Sequence, residues 1–118
     1  VASSGHPTKI QRNLTESGLN SLFEPSKVVS ATEVEKGKPA PDVYLEAFAR
    51  IGCRDCASKC LVIEDSIAGL KAARMAGAFC VGITNSLPRS LLDPHADLVV
   101  DHISELLDYI PPPNESLN

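Results

Sequence analysis

The stretch CLVIEDSIAGLKAARMAGAFCVGI, residues 60–83, decides the fold of this chain. Residues 60–63 form an apolar run without polar alternation, which is typical of a central strand that is buried on both faces. Residues 66–76 carry small side chains at helical spacing, Gly77 is a helix stop, and residues 79–83 form a second apolar run. A strand, a helix and a strand in this order predict a parallel, right-handed crossover.

The rest of the chain alternates strands and helices in the same way. The pattern predicts the end of a strand at Val1-Ala2, a helix over residues 7–17, a short strand over residues 27–30, a helix that begins at Pro41 and closes at Gly52, a strand over residues 97–100 and a closing helix over residues 103–110. We therefore predict an α/β fold, a Rossmann-like parallel sheet with helices on both faces, in one domain over residues 1–110. Residues 111–118 are predicted to form a Pro-rich polar tail.

Composition narrows the class of protein. The 118 residues are 43% hydrophobic but only 4% aromatic, so the core is expected to consist of Val, Leu, Ile and Ala. A formal net charge of −4 provides no basic surface for nucleic acid, and no apolar run is long enough to predict a membrane span.

No signal peptide pattern is present either, and we expect a cytoplasmic protein, or one in an organelle such as a plastid. Because the chain begins at Val1, we expect it to be part of a longer product.

The cysteines allow a metal or a thiol interpretation. Cys53, Cys56 and Cys60 form a C-x2-C-x3-C run that resembles an iron–sulfur or zinc loop, but a fourth ligand is missing locally. Cys60 opens an apolar strand and Cys80 lies inside another, so their side chains should belong to the core. We expect all four to be ordinary reduced thiols.

Two acidic residues mark the end of the first strand of the crossover. Glu64 and Asp65 lie where this strand ends and the next helix begins. Adjacent carboxylates repel each other, and a hard cation such as Mg²⁺ relieves that repulsion while also accepting phosphate oxygens. The alternative is that Asp65 or Ser66 simply caps the helix.

Lys38 is a candidate cation for a phosphate. It follows a predicted strand and precedes Pro39 and Pro41, so its backbone cannot join a helix. A lysine in such a loop is a fixed positive charge that suits a phosphate group. The alternative is an ordinary solvated lysine on the surface.

A serine pair supplies a second phosphate candidate. Ser3 and Ser4 lie just beyond a strand end, next to Gly5. Hydroxyl and backbone N–H groups at the start of a helix form an anion site. The alternative is a turn in which Ser4 caps the helix. The cation, the carboxylates and the hydroxyls together predict a small phosphorylated metabolite as the ligand.

The order of these groups excludes one phosphate-handling fold and indicates another. Response-regulator receivers place acidic residues first and a Lys-Pro near the end, whereas here the order is serine, Lys-Pro and acidic pair. The strings VASS at residues 1–4, GKPAPDVYLEA at residues 37–47 and CLVIEDSIAGLKAARMAGA at residues 60–78 resemble the haloacid dehalogenase superfamily, in its branch related to β-phosphoglucomutase.

The resemblance implies roles for four residues. Ser3 matches the phosphate-binding hydroxyl of the second family motif, and Lys38 matches the lysine of the third. Glu64 and Asp65 match the acidic pair of the fourth motif, which holds Mg²⁺. The first motif, Asp-x-Asp-Gly-[Thr/Val], is absent from the 118 residues, and with it the aspartate nucleophile and the second aspartate that acts as general acid and base. The helical cap that usually follows the first motif is absent too.

The absent first motif has a structural consequence. In the family its strand is central, between the strand that ends at Ser3 and the strand that ends at Ile63, so its loss should expose both edges and split the sheet. We expect this chain to be the carboxy-terminal part of a Mg²⁺-dependent phosphatase of small sugar or polyol phosphates, inactive alone and completed by a missing segment or a second chain. The alternatives are a phosphomutase and a non-catalytic module that binds phosphate or metal.

Overall fold

The computed structural model describes residues 1–110, so the predicted tail at residues 111–118 lies outside the described residues. The elements are β1 (Ala2–Ser3), α1 (Pro7–Glu16), β2 (Val29–Ser30), α2 (Asp42–Arg50), β3 (Leu61–Glu64), α3 (Ile67–Ala76), β4 (Phe79–Ile83), α4 (Arg89–Leu92) and β5 (Leu98–Val100). The predicted strand–helix–strand unit is confirmed as β3, α3 and β4, with β3 and β4 parallel.

The strands form two separate parallel sheets. β1 pairs with β2 in one sheet, and the other has the order β3-β4-β5. No pairing joins β1 to β3 within residues 1–110. The expected split of the sheet is confirmed, and it leaves β1 and β3 each with an unpaired edge.

Helices hold the two sheets together on one face. α2 packs against β1, β2 and α3, while α3 packs against β3 and β4. The resulting core is continuous and includes Val29 of the first sheet, Val62 of the second, and Leu70 of α3. The two sheets are therefore held together by the packing of apolar side chains and not by backbone hydrogen bonds between strands.

The other face of the larger sheet is only partly covered. A second cluster buries Val81, Ile83, Val100 and Leu106. On the same face Leu61, Ile63 and Phe79 are 40%, 37% and 46% exposed. The prediction that residues 60–63 form a strand buried on both faces is therefore wrong for this chain, because β3 lies at an edge and no described element covers its outer side.

Two local predictions also need correction, and one short helix was missed. The strand predicted at residues 27–30 is only Val29–Ser30, because Pro25–Lys27 form a 3₁₀ turn before it. The closing helix is a 3₁₀ segment, Ile103–Asp108, in which Leu106 is the buried side chain. The short helix α4, which follows Pro88, was not predicted.

The cysteine prediction holds for only two of the four residues. Cys60 and Cys80 are free and buried, as expected. Cys53 and Cys56 form a disulfide, since the loop between α2 and β3 turns back and brings their Cα atoms to 4.9 Å. No cluster of three or more metal-ligating side chains occurs in residues 1–110, and no helix in that range is long and apolar enough to cross a membrane.

Candidate active site

The carboxyl ends of β1, β3 and β4 surround one polar cavity of about 490 Å³. In parallel sheets this edge is where ligands bind. All five predicted site residues line the cavity: Ser3, Ser4, Lys38, Glu64 and Asp65. Their convergence was expected because they follow strand ends, and the fold confirms it.

Lys38 spans the gap between the two sheets. Its Nζ donates to the carbonyl oxygen of Ala2 in β1 at 3.4 Å and also to Oε1 of Glu64 in β3. Nζ also lies 5.0 Å from the ring centroid of Tyr44, a cation–π contact. The Lys38 side chain is only 11% exposed, so the interpretation as a solvated surface lysine is wrong.

The carboxylate of Glu64 is buried, and both of its oxygens accept hydrogen bonds. The Tyr44 hydroxyl donates to Oε1, and the Ser66 hydroxyl donates to Oε2 at 3.2 Å. Burial, followed by the negative charge of Glu64, raises the pKa of Tyr44 above its ordinary value, so the phenol stays protonated and remains a donor. Sequence reasoning assigned Tyr44 only to the apolar face of α2, because nothing in the local pattern shows that its hydroxyl meets Glu64.

Gly69 makes room for this carboxylate. A Cβ atom at Gly69 would overlap the carboxyl group of Glu64, which packs directly on the first turns of α3. Glycine is therefore required here to leave space for the carboxylate. Backbone conformation is not the reason, because the φ angle of Gly69 is not positive.

Asp65 has a different partner from its neighbour. The Ser86 hydroxyl donates to Oδ2 of Asp65 at 2.6 Å, and Asn85 beside it lines the same cavity. Sequence reasoning missed both residues. A signal was present, because they lie just beyond Thr84 at the carboxyl end of the apolar strand β4, at the edge shared with Glu64 and Asp65.

The capping alternatives are now resolved. Ser66 caps α3 by accepting the Gly69 N–H at 3.0 Å, so the capping interpretation is right for Ser66 and wrong for Asp65. His6, not Ser4, caps α1. Ser3 accepts the Gly5 N–H at 3.1 Å, which leaves the hydroxyl hydrogen of Ser3 available to a ligand.

The donor set fits a hard divalent cation. The carboxylates of Glu64 and Asp65 both line the polar cavity, and Mg²⁺ is commonly held by one or two carboxylates together with phosphate oxygens and waters. Lys38 and Ser3 line the same cavity and offer N–H and O–H donors to an anion. The arrangement can therefore bind a phosphate and a cation side by side.

A family model described as haloacid dehalogenase-like hydrolase matches residues 1–77, a range that includes Ser3, Lys38, Glu64 and Asp65. The chain belongs to this family. The resemblance inferred from the motifs is therefore confirmed.

Relatives place this chain in the β-phosphoglucomutase-like branch of the family. It is 39% identical over 79 residues to Beta-phosphoglucomutase of Bacillus subtilis, an alignment that covers 67% of this chain and 32% of that protein. It is 37% identical over 108 residues to Protein SUPPRESSOR OF QUENCHING 1, chloroplastic, of Arabidopsis thaliana, covering 90% of this chain and 10% of that protein.

A solved structure of the same family shares this fold. The crystal structure of a HAD hydrolase, family IA, variant 3, from Entamoeba histolytica superposes with a TM-score of 0.75 at 31% identity, covering 90% of this chain and 50% of that one. The haloacid dehalogenase-like chain thus spans half of this structure and a smaller share of the two relatives above.

The contact between Gly69 and Glu64 generates a test on stability. Gly69→Ala should lower the free energy of unfolding by about 1–3 kcal/mol, because the new methyl group displaces the buried carboxylate. In a Glu64→Ala background the same substitution should be neutral or stabilising by roughly 0.5–1 kcal/mol, since alanine is the better helix former. Urea denaturation of the wild type, the two single variants and the double variant gives the cycle. Equal effects of Gly69→Ala in both backgrounds would contradict this contact.

Proposed function

We propose that this chain supplies the phosphate- and metal-holding part of a Mg²⁺-dependent phosphomonoester hydrolase acting on small sugar or polyol phosphates. The observation that carries the proposal is the buried Lys38–Glu64 pair beside Asp65 and Ser3, around one cavity at the carboxyl ends of the strands. The family supports hydrolysis, and the polar cavity suits a small charged substrate better than an extended one.

Lys38 and Ser3 would bind the phosphoryl group. An ammonium group has three hydrogens, and two of those on Lys38 are used by Glu64 and the Ala2 carbonyl, which leaves one for a phosphate oxygen. The Ser3 hydroxyl, whose hydrogen is not used by the Gly5 N–H, would donate a second hydrogen bond, and Ser4, which lines the same cavity, would add a third donor. These donors neutralise and orient the group as charge shifts during its transfer.

Asp65 and Glu64 would hold Mg²⁺. When bound, the ion supplies positive charge against the phosphoryl oxygens. Glu64 is held by Lys38, Tyr44 and Ser66, so its carboxylate is fixed before any ligand arrives. Asp65 lies at the cavity surface and is less buried than Glu64.

A strand outside these 118 residues would complete the site. The unpaired edges of β1 and β3 flank a second cavity of about 430 Å³, whose lining includes Val1, Ala2 and residues 61–63. A parallel strand between them would end at the same edge as Ser3 and Glu64. By family resemblance its first aspartate would attack the phosphorus and form an aspartyl-phosphate, while the bond to the substrate oxygen breaks and the second aspartate protonates the departing alcohol. Water would then hydrolyse the aspartyl-phosphate to inorganic phosphate and the free carboxylate.

The first prediction concerns turnover. In the full protein, Asp65→Ala or Lys38→Ala should reduce kcat/KM for p-nitrophenyl phosphate by about a hundredfold or more, because each removes charge that balances the transferred phosphoryl group. Lys71→Ala, an exposed lysine on α3, is the matched control and should leave the rate unchanged. Rates near wild type for Asp65→Ala and Lys38→Ala would refute the site assignment.

The second prediction concerns the missing strand. The 118-residue chain alone should hydrolyse no p-nitrophenyl phosphate, and its β3 amides should exchange with solvent faster than those of the central strand β4. In the full protein the β3 amides should become as protected as those of β4. If the β3 amides remained unprotected in the full protein, no strand would occupy that edge and the proposal of completion would fail.

A phosphomutase is the second candidate, because one relative carries the name Beta-phosphoglucomutase. The two activities share the aspartyl-phosphate and differ in the acceptor, which is water for a phosphatase and a sugar hydroxyl for a mutase. We expect the full protein to release one inorganic phosphate for each sugar phosphate consumed. Conversion of β-glucose 1-phosphate to glucose 6-phosphate without phosphate release, followed by ³¹P NMR, would favour the mutase instead.

A further inference from the structure

The loop after β4 contacts the site but lies outside the part of the chain that the family model matches. The match ends at residue 77, whereas Ser86 donates to Oδ2 of Asp65 at 2.6 Å. These two residues are 21 positions apart, so the contact depends on the strand order and cannot be a local turn. None of the predicted motifs includes this loop.

The loop is anchored at its first residue. The Thr84 N–H donates to the Val100 carbonyl at 3.1 Å, and the Thr84 hydroxyl donates to Asp101 at 2.8 Å. Asp101 in turn lies 3.2 Å from Arg89, which also donates to the Val99 carbonyl. Both the backbone and the side chain of Thr84 are therefore tied to the end of β5, two residues before Ser86.

Ser86 is the hydrogen-bond partner of the Asp65 side chain within residues 1–110. An aspartate side chain has two rotatable bonds, so a carboxylate without a partner samples several orientations. With Oδ2 held by Ser86, the orientation is restricted while Oδ1 keeps its lone pairs free of protein donors in the described residues. Glu64, by contrast, has protein donors on both oxygens.

We propose that Ser86 is a positioning residue that holds the Asp65 carboxylate so that its other oxygen can bind a divalent cation. This inference rests on the proposed function, since it assigns a partner to the metal ligand Asp65. It extends the site to the loop after β4. Ser86 acts through Asp65 and is not itself placed on the substrate or the ion.

The test measures cation binding as well as turnover. Mn²⁺ binding to the full protein is titrated by electron paramagnetic resonance for wild type, Ser86→Ala, Ser86→Thr and Asp65→Ala. Ser86→Ala should weaken Mn²⁺ binding by about tenfold, as is typical when the partner of a metal ligand is removed. Ser86→Thr keeps the hydroxyl and should bind within about twofold of wild type.

The kinetic readout separates positioning from folding. For Ser86→Ala the Mg²⁺ concentration needed for half-maximal phosphatase activity should rise by about the same tenfold factor, while kcat at saturating Mg²⁺ changes little. Ser86 is exposed, so its truncation leaves no cavity, and Ser90→Ala on α4 is a matched exposed control that should change neither quantity.

The outcomes distinguish this inference from the proposed function. If Asp65→Ala abolishes Mn²⁺ binding while Ser86→Ala binds like wild type, Ser86 is not a positioning residue and the proposed metal site stands. If Asp65→Ala leaves Mn²⁺ binding unchanged, the metal site itself is wrong and the inference falls with it. Weak binding by Ser86→Ala with recovery in Ser86→Thr supports the inference.

Discussion

The rest of the site depends on the hydrogen bonds that hold the buried carboxylate of Glu64. Moving a carboxylate from water into a protein interior costs several kcal/mol of free energy unless hydrogen-bond donors compensate for the lost water. Here Lys38, Tyr44 and Ser66 supply those donors, and Gly69 leaves the space. The Glu64 side chain thereby joins the end of β3 to α2, to the start of α3 and to the loop that carries Lys38.

The contact between Lys38 and Glu64 also links the two separate sheets. β1 and β3 share no backbone hydrogen bonds, so the relative position of the two sheets depends on the packing of α2 against α3 and on the reach of Lys38 from Glu64 to the Ala2 carbonyl. The groups proposed to hold a phosphate and a cation are therefore arranged around the open edges of β1 and β3. In the proposed function these residues bind the substrate and the ion, and the proposed central strand would supply the nucleophile.

Much of the fold and of the site could be predicted from local patterns. The apolar runs, the small-residue helix and Gly77 predicted the crossover, and the polar residues at strand ends predicted where Ser3, Lys38 and Asp65 would meet. Tyr44, Ser86 and the Cys53–Cys56 pair were misjudged. The roles of Tyr44 and Ser86 depend on partners about twenty residues away in the chain. The pairing of Cys53 with Cys56 depends on how their loop turns back. Contacts of both kinds produce no periodic pattern in the sequence.

By itself the sequence determined the α/β class, the family and the residue types that surround the cavity, because strand and helix periodicity and motif spacing are local properties of the chain. Only the tertiary structure decided what each group does there. It placed Glu64 in the interior with three donors, gave Asp65 its partner Ser86, and exposed Leu61 and Ile63 at an open edge. Burial and hydrogen-bond partners arise when distant segments pack together, and no stretch of sequence contains both sides of such a contact.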